Sequence, residues 1–274
     1  MKKEVILDRL FEKKGFICDM DGVIYHGNRL LPGVKEFLGW LKENDKKFLF
    51  LTNSGQYTPR ELQQKLGRLG LDVDESHFYT SALATAQFLN SQAPGCSAFV
   101  MGEHGIQNAL YDVGITYNDV NPDYVVVGED RGYSLEMITK AIRLVNNGAK
   151  LIGTNYDLTG PTEDGIAPAC RALLAPIELT TGKQAYYVGK PNPLMMRTGL
   201  KRLGCHSAEA VMVGYRMDTD VISGMESGMS TVLVLSGVTS REDCRRFPYR
   251  PRLILDGVGD IPKAAKANGD FAAS

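Results

Sequence analysis

Short apolar runs separated by helix-length segments recur along the whole chain: GFICDM, KKFLFLTN, SAFVMG, DYVVVG, AKLIGTN, AYYVGK, AVMVG, STVLVLSG and PRLILDG. Segments of about 10 to 15 residues fit between most of them, a spacing that predicts βαβ units and parallel sheet. The runs are rich in Val, Ile and Leu and lack polar alternation, so the sheets are expected to be covered on both faces. The fold class is α/β. One helix start is explicit. In TPRE, Thr58 is placed as N-cap, Pro59 at the first helical position and Glu61 as the return partner of a capping box, with the helix ending near Gly70.

A chain of 274 residues, 43% of them apolar, can bury a sizeable core. Its 31 Lys and Arg balance 32 Asp and Glu, for a net charge of -1. That balance points away from nucleic-acid polymers and anionic membranes and toward a small ligand. The five cysteines (Cys18, Cys96, Cys170, Cys205 and Cys244) are odd in number and form no CxxC pair, as in a thiol-reducing compartment. The opening MKKEVILDRLFEKKG carries charges through its apolar part, unlike a signal peptide, and no run approaches the roughly 18 apolar residues of a membrane span. A cytoplasmic location is expected.

Four strand ends carry chemistry. The first ends in CDMDGVIY, where Asp19 and Asp21, two apart on a strand, face the same side about 6 to 7 Å apart, and Gly22 permits the turn that follows. Two such carboxylates repel unless a cation or a shared proton relieves them, and ligands of open α/β sheets bind beyond the carboxyl ends of strands. A lone DxD more often merely caps a turn. The second ends in FLTNSG, whose Thr52, Asn53 and Ser54 supply hydroxyl, amide and N–H donors suited to phosphate oxygens. In YYVGKPNP, Lys190 follows a strand and Asn192-Pro193 begins a helix; the lysine is either a solvated loop residue or a point charge for an anion. In VMVGYRMDTD, Asp218 and Asp220 precede the helical DVISGMESG, where Asp commonly caps a helix. Together these groups could hold a phosphate and a divalent metal over a carboxylate nucleophile.

In the order DxDGV, TNS, KP and G-x-x-x-D-T-D, the sequence resembles the haloacid dehalogenase superfamily of phosphatases, and within it the NagD-like branch of 4-nitrophenylphosphatases and sugar phosphatases. The likeness extends through DVNPDYVVVGE, YVGKPNP and LVLSGV. The resemblance implies a Rossmann-like three-layer core with a mainly parallel sheet, made from about residues 1–80 and 183–274, with a large α/β cap inserted over about 81–182. It implies Asp19 as the nucleophile that becomes an aspartyl phosphate and Asp21 as general acid and base. Thr52 and Lys190 complete the catalytic set. Substrate phosphate is expected at Gly22, Thr52, Asn53, Ser54 and Lys190, and Mg²⁺ at the Asp19 carboxylate and the Asp21 carbonyl. Asn155, Asp157 and the segment LTGPTEDGIAP are candidates for reading the leaving group, although a plain surface loop accounts for that segment equally well. The expected partner is a small phosphorylated metabolite, with a homodimer entertained as the assembly.

The pattern departs from the family at one position. The family carries Asp directly after the glycine of the fourth motif, as a Mg²⁺ ligand, and here Tyr215 stands there. A phenol with a pKa near 10 is neutral at pH 7, whereas Mg²⁺ takes hard, preferably anionic oxygens. Asp218 or Asp220 would then have to compensate. The leading expectation is a Mg²⁺-dependent phosphatase for small phosphomonoesters, impaired by Tyr215; the rival is a silent homologue that binds a phosphorylated metabolite. A dinucleotide-dependent oxidoreductase is disfavoured because no G-x-G-x-x-G follows the first strand.

Overall fold

The structure, a computed structural model, describes residues 10–162, 165–237 and 239–265. The chain forms two compact units, one drawn from Met1–Leu51, Leu66–Phe78 and Met196–Ser274, the other from Thr52–Lys65 and Tyr79–Met195. Along the chain come β1 (Gly15–Cys18), the antiparallel pair β2 (Tyr25–His26) and β3 (Arg29–Leu30), α1 (Val34–Glu43), β4 (Lys47–Thr52), α2 (Pro59–Arg68) and β5 (Phe78–Thr80). Next follow α3 (Ser81–Gln92), β6 (Ser97–Met101), α4 (His104–Asp112), β7 (Thr116–Tyr117), β8 (Tyr124–Val127), α5 (Leu135–Asn146) and β9 (Lys150–Gly153). A hairpin of β10 (Thr159–Thr162) and β11 (Gly165–Pro168) leads to α6 (Cys170–Thr181) and β12 (Tyr186–Tyr187). The chain closes with α7 (Pro193–Leu203), β13 (Ala210–Gly214), α8 (Ile222–Glu226), β14 (Ser230–Val234) and β15 (Leu253–Leu255).

The first sheet has the order β15-β14-β13-β1-β4-β5, and β1 pairs in parallel with both β13 and β4. Successive side chains of a strand point to opposite faces, which assigns the helices. Phe16 meets Phe37 and Trp40 of α1, with ring centroids 6.2 and 5.6 Å away. Its neighbour Ile17 packs where Gly199 of α7 leaves room, 3.0 Å from the position a β-carbon would take. Helices α1 and α7 therefore cover opposite faces. Met212, in register with Ile17, packs against Gly224 of α8 on the α7 side. This makes a three-layer α/β core.

The second sheet, order β12-β9-β8-β6-β7, is parallel throughout. Buried Phe99, Val125, Val127, Leu144, Val145, Leu174 and Ile177 form its core against α5 and α6. Here the structure departs from one expectation. Tyr186–Tyr187 was placed where the first domain resumes, yet β12 pairs with β9 as an edge strand of the second sheet. Strand partnership is non-local, and a six-residue run does not encode it. The 81–182 segment lies inside the second unit, which also takes in the residues after β4 and those up to 195. The capping box is present as read: Thr58 N–H donates to Glu61 Oε2 at 2.9 Å, and Glu61 N–H donates to Thr58 Oγ1 at 3.3 Å. Among the described residues, no helix is long and apolar enough to cross a membrane. Residues 1–9, at the charged beginning of the chain, lie outside the described residues.

Candidate active site

In the first unit, the chemistry gathers at the carboxyl ends of β1 and β13. The Asp19 N–H donates to Val213 O at 2.9 Å, so the ladder between these strands runs to the first acid. Asp19 is buried at 6% exposure. Asp21 follows within a tight turn whose Gly22 has φ +73, a left-handed conformation that glycine adopts without strain. Gly22 N–H donates to Tyr25 O, and Ser236 Oγ, just past β14, donates to Gly22 O at 2.8 Å. Neither Ser236 nor Gly237 was singled out in the sequence; the hydroxyl and glycine ending LVLSG were their only signal. His26 lies 3.5 Å from Asp21 Oδ1.

Tyr215 fills the space between these turns. A β-carbon on Gly22 would lie 3.0 Å from its ring, and one on Gly237 would lie 2.0 Å from it. The tyrosine is buried, and desolvation, reinforced by the charges of Asp19, Asp220 and Asp21, raises its pKa well above the ordinary phenol value. It is a neutral group at the position where the family carries a carboxylate. Asp220, 1% exposed, accepts the main-chain N–H groups of Tyr215 and Arg216 on Oδ2, both at 3.0 Å. It thereby shapes the turn, which continues as a single π-type turn over Met217–Val221, a feature frequent at functional sites. Asp218, a candidate metal ligand, is paired with a cation. It is half-exposed and takes Arg216 Nε and Nη2 at 3.0 and 2.8 Å, a two-point ion pair that occupies both oxygens. Asp220 fits only because residue 214 is glycine, since a β-carbon there would stand 2.2 Å from the Asp220 β-carbon. Gly214→Ala is expected to cost about 1 to 3 kcal/mol through overpacking, read as a lower urea midpoint with an unchanged slope.

The second unit carries Thr52, Asn53, Ser54 and Lys190. Thr52 Oγ1 accepts Ser54 N–H at 3.1 Å, and its own O–H makes no hydrogen bond among the described residues. Lys190 is 2% exposed, so it is not the solvated loop lysine that composition alone favours. Asn192 Oδ1 accepts Leu194 N–H at 3.0 Å and starts α7, as the Asn-Pro pair suggested.

Asn53 departs from expectation in a specific way. Its Oδ1 accepts Lys190 N–H at 2.7 Å, while Nδ2 donates to Lys190 O at 3.0 Å and to Asp157 Oδ2 at 2.9 Å. The amide is committed to protein partners. Asn155, expected as a substrate contact, has its side chain bonded to the protein. It is fully buried, with Nδ2 bonded to Asn53 O at 2.8 Å and Glu129 Oε1 at 2.7 Å and Oδ1 accepting Asp157 N–H. Asp157 is likewise drawn into this network, and the segment after it is the β10–β11 hairpin, with Glu163 and Asp164 outside the described residues. Glu129 was missed in the sequence because an acid after an apolar strand reads as a solvated loop residue.

Burial raises the Glu129 pKa, with the Asn155 amide pulling it partly back and the Asp157 charge adding to the rise. A folded-state value above the unfolded one, about 4.3, means stability is full below that pH and falls as pH climbs through the raised value. Glu129→Gln is expected to flatten this fall, so the variant gains on the parent in thermal unfolding from about pH 4.3 toward neutrality.

A parallel sheet with a DxDG turn at the carboxyl end of an inner strand is an arrangement of phosphoryl-handling α/β hydrolases. Residues 16–116 match the model of the haloacid dehalogenase-like hydrolases, and residues 187–261 match a second, HAD-hydrolase-like model. The dihydroxyacetone phosphatase of Corynebacterium glutamicum (strain R) is 46% identical over 246 residues, 90% of each chain. Ribonucleotide monophosphatase NagD of Escherichia coli K12 is 44% identical over 248 residues, 90% of this chain and 98% of that protein. The crystal structure of 4-nitrophenylphosphatase from Thermotoga maritima superposes with a TM-score of 0.89 at 34% identity, covering 94% of this chain and 98% of the other. The chain belongs to the haloacid dehalogenase-like hydrolases, as a phosphatase of the NagD-like branch.

Proposed function

We propose that this phosphatase hydrolyses small phosphomonoesters, the class spanned by sugar phosphates, nucleoside monophosphates and 4-nitrophenyl phosphate, through a covalent intermediate on Asp19. A carboxylate oxygen of Asp19 attacks phosphorus, the ester P–O bond breaks, and Asp21 delivers a proton to the departing oxygen. Asp21 then takes a proton from water as that water attacks the aspartyl phosphate, releasing phosphate and restoring Asp19. Thr52 and the main chain of Asn53 orient phosphoryl oxygens, and the Lys190 ammonium balances their charge. The observation that carries this reading is the placement of Asp19 and Asp21 at the carboxyl end of β1, with β4 on one side and β13 on the other, where open α/β sheets bind ligands. The names of the relatives support the substrate class.

Mg²⁺ is the cofactor the family implies, and the residues present do not fit a complete site for it. Asp19 offers a carboxylate and Asp21 a main-chain carbonyl. Tyr215 is neutral and buried, Asp218 is paired with Arg216, and Asp220 Oδ2 is bonded to two N–H groups. Among the described residues, no three His, Cys, Asp or Glu side chains gather as metal ligands. The set is one anionic ligand short of the family's, which would leave the ion one carboxylate, one carbonyl and water.

Release of 4-nitrophenol, with and without added Mg²⁺, tests the activity. Slow hydrolysis by this chain and faster hydrolysis by Tyr215→Asp are expected; no hydrolysis by either would refute the proposal. The leaving group is read by the β10–β11 hairpin, whose Ile166 is 74% exposed. Ile166→Ser is expected to change relative rates among phosphate esters, and equal effects on all of them would make the hairpin structural.

A further inference from the structure

We propose that Glu129 is a positioning residue, which through Asn155 fixes the Asn53 main chain and with it the backbone of Lys190. The inference rests on the reading of Thr52 and Lys190 as phosphate-holding groups. Four strand-end segments, distant in sequence, meet here inside one unit. Glu129 follows β8, Asn155 follows β9, Asn53 follows β4 and Lys190 follows β12. The side chain of Asn155 ties Glu129 Oε1 to Asn53 O, to which Ser81 Oγ also donates at 2.5 Å. The Asn53 amide then grips Lys190 at both its N–H and its carbonyl. Packing leaves the segment no slack, because a β-carbon on Gly189 would lie 2.7 Å from Thr154 O and 2.8 Å from both Asn155 Cβ and Asn53 Oδ1.

A carboxylate is an expensive choice for such a place. Its Oε2 is buried, and although the main-chain N–H groups of Gly55 and of Glu129 itself favour the carboxylate, its desolvation is not fully offset. A well-packed apolar side chain would be the more stable filler. What it would not supply is an acceptor for Asn155. Without that acceptor, Asn155 is free to turn its amide away from Asn53 O, and the carbonyl that ends the phosphate strand loses one of its two donors. The lysine segment is then held by a partner that is itself less fixed. Displacement of a phosphate-contacting group by about 1 Å is enough to cost on the order of 10²-fold in rate. Glu129 touches no substrate in this scheme and acts through Asn155.

The test uses the full chain and three variants: Glu129→Leu, which removes the acceptor, Glu129→Gln, which keeps an acceptor oxygen, and Asn155→Leu. Amide hydrogen exchange at Lys190, whose N–H is bonded to Asn53 Oδ1, reads the network without reference to activity. Inorganic phosphate binding by calorimetry reads its consequence. The two Leu variants are expected to exchange Lys190 at least about tenfold faster and to bind phosphate at least about tenfold more weakly. The Glu129→Gln protein should stay within about twofold of the parent in both, and the two Leu changes combined should do no more harm than either alone. Should the Leu variants not fold, Glu129→Asp, which withdraws the carboxylate by one methylene, is expected to show the same acceleration. Unchanged exchange in Glu129→Leu or Glu129→Asp, or equal losses in the Gln and Leu variants, would overturn the inference. If the parent itself binds no phosphate, the proposed function fails, while the exchange data still decide the network.

Discussion

Asp19→Asn is expected to abolish turnover of phosphate esters, by at least about 10³-fold and toward the order of 10⁶ seen when a nucleophile that acts as part of a unit is removed. An amide oxygen is a poor nucleophile, and the substitution is nearly isosteric, so the β1 ladder through Asp19 N–H and Val213 O remains. The loss is therefore expected without a change in melting behaviour. The adjacent thiol does not replace the carboxylate. Cys18 is the adjacent nucleophile by type, but burial and the Asp19 charge raise its pKa far above the ordinary thiol value, so it stays protonated. Acid quenching of the parent during turnover should capture one phosphoryl group on the peptide containing Asp19, seen by mass spectrometry, and none on the Asn form. Retention of most of the activity by Asp19→Asn would show that the nucleophile lies elsewhere.

Tyr215→Asp is expected to raise kcat/KM by at least about tenfold, because removal of one electrostatic partner of this kind commonly costs about 10² to 10³ in rate. The substitution restores an anionic oxygen beside Asp19 and Asp21 and withdraws the ring that presses on Gly22 and Gly237. Mg²⁺ should bind more tightly, since the site gains the hard ligand it lacks. A second readout is independent of catalysis. Without metal, the new carboxylate faces the charges of Asp19, Asp21 and Asp220, and a buried aromatic ring is lost, so the variant should unfold at a lower temperature than the parent. Added Mg²⁺ should recover stability in the variant far more than in the parent, as a ligand that binds only the folded state must. If the Tyr215 chain already turns over phosphate esters at an ordinary rate, or if the Asp form is no faster at saturating Mg²⁺, then Asp220 holds the metal and this account of the turn is wrong.

Both predictions begin from residues visible in the sequence, because the features involved are local. Apolar runs without alternation specify strands from their own side chains, and the apolar runs of the sequence all form strands. The Thr58–Glu61 capping box and the Asn192–Pro193 helix start need only a few neighbouring residues to form. An acid pair spaced two apart at a strand end, with a glycine after it, carries its chemistry in four consecutive letters. The departure at Tyr215 is legible for the same reason, as a neutral group where an anion belongs.

What the tertiary structure decided depends on partners that lie far along the chain. Which sheet accepts Tyr186–Tyr187 is settled by hydrogen bonds to β9, more than thirty residues away. Whether the amides of Asn53 and Asn155 face a ligand or the protein turns on Lys190, Asp157 and Glu129, and the structure commits both to the protein. Asp218 is paired by the conformation of Arg216, and Lys190 is buried by the packing around it. Residue type and spacing therefore determined the family, its reaction class and the candidate groups. Three-dimensional packing alone decided which of those candidates have their polar atoms committed to protein partners, because a polar side chain offers a ligand only the donors and acceptors its folded neighbours leave unused.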